Sequence, residues 1–481
     1  MTKRRHGSGP DKPVHGECWT IAVVDKMKAM ERDEVPLGIN AFTLIPNQKY
    51  RRSCRHLQSK KNGDRLESFH LQYNCGYFQI IPIEIFHKVL CYLSVTDISI
   101  LSMVSKVVGT QIVGYISTSS GIKRLLLEGF HSTDISKKSI AMEHYRSLGL
   151  LFKRCTLLLP TKERLKFVHN QLLKNPCFKM GGCSMLVQCS GFACFGLLLQ
   201  TLIAGWDELE CHRVFNFLNE NANLPRKMQS VVCSRPGATR KLELQIRLYY
   251  RRVLLDHWEH QCDIAFWLTR ILKPWPMVNQ ARLLYLLYGP MSLSDGQIHW
   301  HHMTQLPASE DSIKGLAAAV RLLHENAKEW TADDIFTLLE ELAGFPQEWL
   351  LENCARLLIC CGNNMCFTFL ANKAVNGRLN ELATLIVFLS LVCEKDGYCM
   401  DWTVKMVHRI CKVIPSSESR WNFLQAIEKV FARVTMDMIE SLMFSGLDED
   451  EGVTYNMYNM VNAQAEFHKE VMLCAFSNIL T

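Results

Sequence analysis

The side chains best suited to chemistry in this chain are its thiols and imidazoles. Twenty of the 481 residues are cysteine and 17 are histidine. Cys177, Cys183, Cys189 and Cys194 are separated by five, five and four residues, and His299, His301 and His302 sit together in HWHHM. Grouped thiolates and imidazoles are the usual ligands of zinc, and an activated thiolate is a covalent nucleophile. Neither use is predicted here. The chain contains no CxxC pair, and the intervals between the four cysteines match no common zinc site. Most cysteines lie among apolar neighbours, as Cys360 and Cys361 do in RLLICCGNNMCF and Cys194 does in GFACFGLLL. They read as buried, reduced thiols without metal or cofactor. HWHHM reads as a polar loop between helices. With no phosphate-binding glycine loop, no Gly-x-Ser-x-Gly and no His-Glu-x-x-His, no catalytic residue is expected.

The surrounding composition is that of a folded chain: 48% of residues are hydrophobic and 21% charged, enough apolar material for a sizeable core. The net charge of +7 is placed unevenly. Residues 1–79 hold 14 Lys and Arg against 8 Asp and Glu, so six of the seven excess positive charges lie there. The rest is nearly neutral and offers no extended basic surface for nucleic acid. Residues 1–75 are expected to form a flexible basic arm. Within it KYRRSCRHLQSKKNGDR (49–65) reads either as a nuclear import signal or as a solvated arm. The first residues lack the apolar run of a secretory signal. Met180–Trp206 carries no charge, but its glycines and glutamines favour one helix buried in a helical stack over a membrane span.

From about residue 140 onward, segment after segment places apolar residues at i, i+3, i+4 and i+7, as in LELQIRLYYRRVLLDHW and IKGLAAAVRLLHE. Thr331 with Asp334 forms a capping box, Pro160–Thr161 opens a helix, and KPWPM (273–277) breaks one. No strand alternation is visible. The prediction is an all-α chain in which residues 140–481 form about a dozen helices in antiparallel pairs, an irregular α-solenoid with degenerate repeats. The acidic LDEDEG (447–452) reads as a solvated turn.

The segment IIPIEIFHKVLCYLSVTDISILSMVSK (80–106) differs from these. It predicts two helices, the first opening at Pro82 and ending near Leu93, the second capped by Ser94 with Asp97. Both are too short to be stable alone, yet apolar residues lie on more than one face of each. One face can close a small bundle while another stays exposed for a protein partner; ordinary core helices are the alternative.

These residues resemble the F-box, whose pattern runs Leu-Pro-x-Glu, Ile-Leu, Tyr-Leu, Asp-Leu, Leu and Val-Cys. Here the same positions carry Ile81-Pro82-Ile83-Glu84, Val89-Leu90, Tyr92-Leu93, Asp97-Ile98, Leu101 and Val104-Ser105. Val108 stands where many members have tryptophan. The likeness to F-box proteins extends from about residue 42 nearly to the end, and residues 1–41 fall outside it. The resemblance implies a three-helix F-box over 76–125 that docks a Skp-type adaptor and, through it, a cullin–RING ubiquitin ligase. Contact and internal packing would be divided among Ile81, Pro82, Ile85, Val89, Leu90, Leu93, Ile98, Leu101 and Val104. The solenoid would hold an unknown protein substrate, so the chain would be a non-catalytic receptor subunit. The resemblance also implies a nuclear or cytoplasmic protein associated with germline and meiotic chromosome work. A scaffold that binds chromosomal or telomeric proteins without ubiquitin transfer is the competing reading.

Overall fold

The computed structural model describes residues 80–445 and 451–480, the side chains of a few helix-end residues excepted. The basic arm and most of LDEDEG lie outside the described residues. Among those described there is no β-strand, only an isolated bridge between Met291 and Ile298.

Four short helices come first: α1 (Ile83–Leu90), α2 (Val95–Leu101), α3 (Lys106–Ser117) and α4 (Ser119–Leu125). Then α5 (Ile135–Cys155) and α6 (Thr161–Leu172) lead into an irregular segment before α7 (Gly191–Ile203). Next are α8 (Glu208–Ala222), α9 (Leu224–Cys233) and α10 (Arg240–Tyr249), the last widening into a π turn at Tyr250–Leu255. The stack continues through α11 (Gln261–Leu272), α12 (Met277–Tyr288), the single turn α13 (His302–Gln305), α14 (Glu310–Asn326), α15 (Ala332–Ala343) and α16 (Leu351–Cys361). It closes with α17 (Asn363–Val375), α18 (Leu379–Asp396), α19 (Met400–Val413) and two long helices, α20 (Ser417–Ser445) and α21 (Glu451–Leu480).

From α11 onward the helices pack mainly on the next but one once the single turn α13 is passed over, and the last helix α21 also lies along α18. One row runs α11, α14, α16, α18, α20; the other joins α12 to α15 and α17 to α19 to α21. The Phe336 and Phe369 rings, 5.6 Å apart, link α15 to α17. This two-row stack is a solenoid, in which each helix buries its apolar face only by having neighbours. The punctuation falls where expected. Ser94 and Thr331 make full capping boxes, and Pro160 and Pro276 sit just before α6 and α12.

Three expectations need correction. The region after residue 140 holds more helices than the dozen anticipated, because proline, glycine and cap residues divide the apolar pattern finely. Met180–Trp206 is not one helix: residues 179–190 form turns, and only Gly191–Ile203 is helical. HWHHM is only partly a polar loop, since Trp300 is buried, stacks 5.3 Å from Tyr285 and donates to Glu243 at 3.0 Å. No described helix is long and apolar enough to cross a membrane.

Buried polar groups fix how the rows meet. The wholly enclosed Asn353 of α16 accepts from Ala308 N–H at 2.8 Å and donates to the Met303 and Leu306 carbonyls at 2.9 Å. Arg356 pairs with Glu352 at 3.0 Å and grips Asp396 at 2.7 and 3.0 Å, while Lys395 joins Glu352 at 2.7 Å and Asn456 at 2.6 Å. That network ties α16, α18 and α21 together. Where α7 crosses the π turn, a Cβ on Gly196 would lie 2.2 Å from the Arg252 carbonyl oxygen.

Two outcomes follow from this packing. Gly196→Ala should lower stability by about 1–3 kcal/mol, measured by urea unfolding, because backbone must shift to admit the methyl group. Burial lowers the pKa of His144, His169, His257, His302 and His324 below the ordinary value of 6.5. As pH falls through that value the unfolded chain takes up protons that the fold refuses, so stability declines. The urea midpoint should therefore drop between about pH 7.5 and 5.5, above the carboxylate range; a constant or rising midpoint contradicts this assignment.

Candidate functional site

The first helices turn one apolar side inward and another outward. In α1, Phe86 and Leu90 lie one turn apart and are completely enclosed. One residue earlier on the same helix, Ile85 and Val89 form a neighbouring stripe, which Ile81, just before the helix, continues at the same four-residue spacing. Of these Ile85 is 51% exposed, Val89 40%, and Ile81 is half-buried. In α2, Val95, Ile98 and Ser99 face inward, whereas Ile100, Met103 and Val104 are 52–65% exposed at the helix end and the turn after it.

The inward side is locked by α3, α4 and α5. From α3, Val108, Ile112, Tyr115 and Ile116 supply buried partners. His87 packs its ring 5.2 Å from Tyr115, whose hydroxyl meets the Cys91 thiol at 3.5 Å. Burial and that thiol push the Tyr115 hydroxyl up to about 12. Arg124 of α4 donates to the Cys91 carbonyl at 3.1 and 3.3 Å, which holds the end of α1. α2 lies along α5, where Arg154 donates to Ser99 Oγ at 2.8 Å and Thr96 meets Ser147 at 3.4 Å. The start of α2 is set by Ser94, whose Oγ accepts from Asp97 N–H at 3.1 Å, while the Asp97 carboxylate accepts from Ser94 N–H at 3.3 Å.

The nine positions singled out in the sequence therefore divide. Pro82, Ile85, Val89 and Val104 are exposed, and Ile81, Leu93 and Leu101 are half-buried. Leu90 and Ile98 belong to the interior and offer nothing to a partner. Ile83, Tyr92, Ile100 and Met103 add surface that the nine did not include. For Ile100 and Met103 the signal was present, since both lie off the Ile98–Leu101–Val104 line. Pro82 is the residue before the helix instead of its first, and α1 ends at Leu90, followed by a turn in which Leu93 N–H donates to the Leu90 carbonyl.

In the body, the charged groups that line one groove are engaged with one another. A groove of about 460 Å³ among α15–α18 contains Lys373, Arg378, Glu340 and Glu381. Lys373 reaches Glu340 at 2.7 Å and Glu381 at 3.1 Å, and Arg378 reaches the same two at 2.5 and 2.6 Å. Burial raises the thiols of Cys194, Cys354 and Cys366 to about 12, which keeps them protonated and weak as nucleophiles. Of the four clustered cysteines, Cys194 stands apart on α7 while the other three meet near His131.

Comparison with known proteins agrees with this layout. The family profile described as "FBXO47, ARM repeats" matches residues 220–472, from the end of α8 to α21. The mouse protein F-box only protein 47 is 57% identical over 444 residues, 91% of this chain and 98% of its own. Its human counterpart is 57% identical over 446 residues, 92% of this chain and 98% of its own. No solved structure matches the chain.

The inward and outward faces should respond differently to charge. Placing a carboxylate at Leu90 buries an unpaired charge, at a cost of about 4 kcal/mol or more against a typical total of about 5–15. Leu90→Asp is expected to abolish hydrogen-exchange protection across α1–α3, whereas Ile85→Asp leaves it intact. Equal loss in both variants would mean that Ile85 is structural.

Proposed function

The chain belongs to the F-box only protein 47 family, and from that premise we propose that it is the substrate-receptor subunit of an SCF (Skp–cullin–F-box) ubiquitin ligase. The observation that carries this reading is the outward apolar side of α1 and α2, formed by Ile85, Val89, Ile100, Met103 and Val104 at the F-box positions and beside them. Each such side chain gains about 1.5–3 kcal/mol when fully removed from water. The outward set is thus a source of docking energy for an adaptor with a complementary apolar cleft, and the inward set holds its shape.

The chain's part in ubiquitin transfer is then positional. The adaptor joins it to the cullin, and the helical repeats hold a substrate whose lysines gain effective concentration near the charged conjugating enzyme. No nucleophile on this chain is needed for that. The proposed setting is the nucleus of germline cells, which rests on the family resemblance alone. Immunofluorescence of the endogenous protein in meiotic cells checks it.

An Ile85→Asp, Val104→Asp variant should lose both the Skp-type adaptor and the cullin in co-purification while retaining its thermal midpoint and substrate binding. If the folded variant keeps both partners, the docking surface is elsewhere. If wild-type protein retains the adaptor but never a cullin, the reading as a scaffold without ubiquitin transfer replaces this one.

A further inference from the structure

The irregular segment between α6 and α7 has little to hold it by backbone pairing. Residues 179–190 form only turns, yet they lead three buried cysteines to one point. Cys177 lies in a single 3₁₀ turn (Pro176–Phe178), Cys183 and Cys189 in the turns that follow, and His131 comes from the loop before α5. One ligand atom from each of these four residues lies within 4.8 Å of every other. His131 Nε2 is 3.1 Å from Cys183 Sγ and 3.7 Å from Cys177 Sγ. A tetrahedral zinc with three sulfurs and one nitrogen needs edges of about 3.5–3.8 Å, given its bond lengths of roughly 2.3 and 2.0 Å. The observed set closes onto that geometry with small side-chain movements.

We propose that His131, Cys177, Cys183 and Cys189 bind a structural Zn²⁺ ion. Four protein ligands leave no open position, so the site would be structural and not catalytic, and three thiolates with an imidazole favour zinc over the harder divalent ions. The residues around it behave as the supporting layer of such a site. Gly191 N–H points at Cys189 Sγ at 3.4 Å. Ser190 donates to the Phe130 carbonyl through N–H at 2.9 Å and Oγ at 3.1 Å, which fixes the residue next to His131. Arg252, on the π turn, donates to the carbonyls of Leu186 at 3.2 Å, Val187 at 3.0 Å and Cys189 at 2.8 Å. Three thiolates and Zn²⁺ leave one net negative charge, and this guanidinium stands beside it. Gly191 also has a steric reason to be glycine, because a Cβ there would lie 2.7 Å from the Cys177 carbonyl oxygen. The ligand spacing defeated sequence reading because the fourth ligand is a distant histidine and no two cysteines form a CxxC pair.

The test uses the full chain with its partners, expressed without a polyhistidine tag and purified without chelator. Elemental analysis should find about one zinc per chain in wild type and in Cys194→Ser, and at least tenfold less in Cys177→Ser, Cys183→Ser. Because misfolding of the double variant would also lose the metal, cobalt exchange into the wild type gives a second readout. It should produce thiolate-to-cobalt charge-transfer bands and the intense d–d bands of a tetrahedral ion. His131→Cys should retain the metal and shift those d–d bands as nitrogen is replaced by sulfur. Wild-type protein that is folded yet holds no zinc and takes up no cobalt overturns the proposal, as does a native disulfide between any two of the three cysteines. Unmoved d–d bands in His131→Cys remove His131 from the ligand set.

Discussion

A helix of seven or eight residues has room to bury one side only, and the N-terminal part of this protein is organised by that limit. α1 and α2 enclose Phe86, Leu90, Val95 and Ile98; α2 packs on α3 and α5, and α1 meets α3 where His87 lies against Tyr115. Once those positions are enclosed, Ile85, Val89, Ile100, Met103 and Val104 stay exposed among the described residues. An apolar face at this density is costly to leave in water and useful only when another molecule covers it. The polar contacts of α2 with α5, Arg154 to Ser99 and Thr96 to Ser147, keep the inward side from rotating outward.

The same logic operates at larger scale in the repeats. Each solenoid helix is amphipathic and depends on its second neighbour, so the stack needs polar markers to choose one register among several with similar apolar burial. Asn353, itself enclosed and making three hydrogen bonds, and Arg356, held between Glu352 and Asp396, are such markers. Buried ion pairs add little net stability, since desolvation offsets attraction, but a misregistered stack would leave those charges unpaired at a cost of about 3–5 kcal/mol. Glu243 plays this part nearer the middle, accepting from Trp300 Nε1 and from Gly237 N–H, both at 3.0 Å.

What could be read from the sequence was whatever depends on local spacing. The Ser94 and Thr331 capping boxes, the helix starts after Pro160 and Pro276, and the all-α stack follow from residues within a turn of one another. Long-range placement could not be read. Leu90 and Val89 are adjacent and both apolar, and nothing in their local spacing decides that Leu90 is enclosed and Val89 exposed. Cys189 and Cys194 look alike in sequence, but Cys194 has entered α7 while Cys189 remains in the turns that meet His131. Trp300 among histidines signals a polar loop until Glu243, more than fifty residues away, provides a partner for its indole N–H.

The cysteine segment bears on the exposed apolar side of α1 and α2 because of where it sits in the chain of contacts. α2 packs on α5, α5 packs on α7, and α7 packs on the π turn that leads into the repeats. His131 and Cys177 flank this path: Phe130 and Phe178, their immediate neighbours, pack their rings 5.7 and 5.4 Å from Tyr145 of α5. Arg252 reaches the segment from the π turn on the other side. The proposed receptor role would need α1 and α2 joined rigidly to the repeats, and α5 and α7 are the helices that connect them. Flexible turns beside that joint would let the repeats swing relative to α1 and α2. Four ligands drawn to one ion would stiffen the joint where backbone hydrogen bonding is sparse, so the architecture gives the cysteines a reason to converge at this point in the fold.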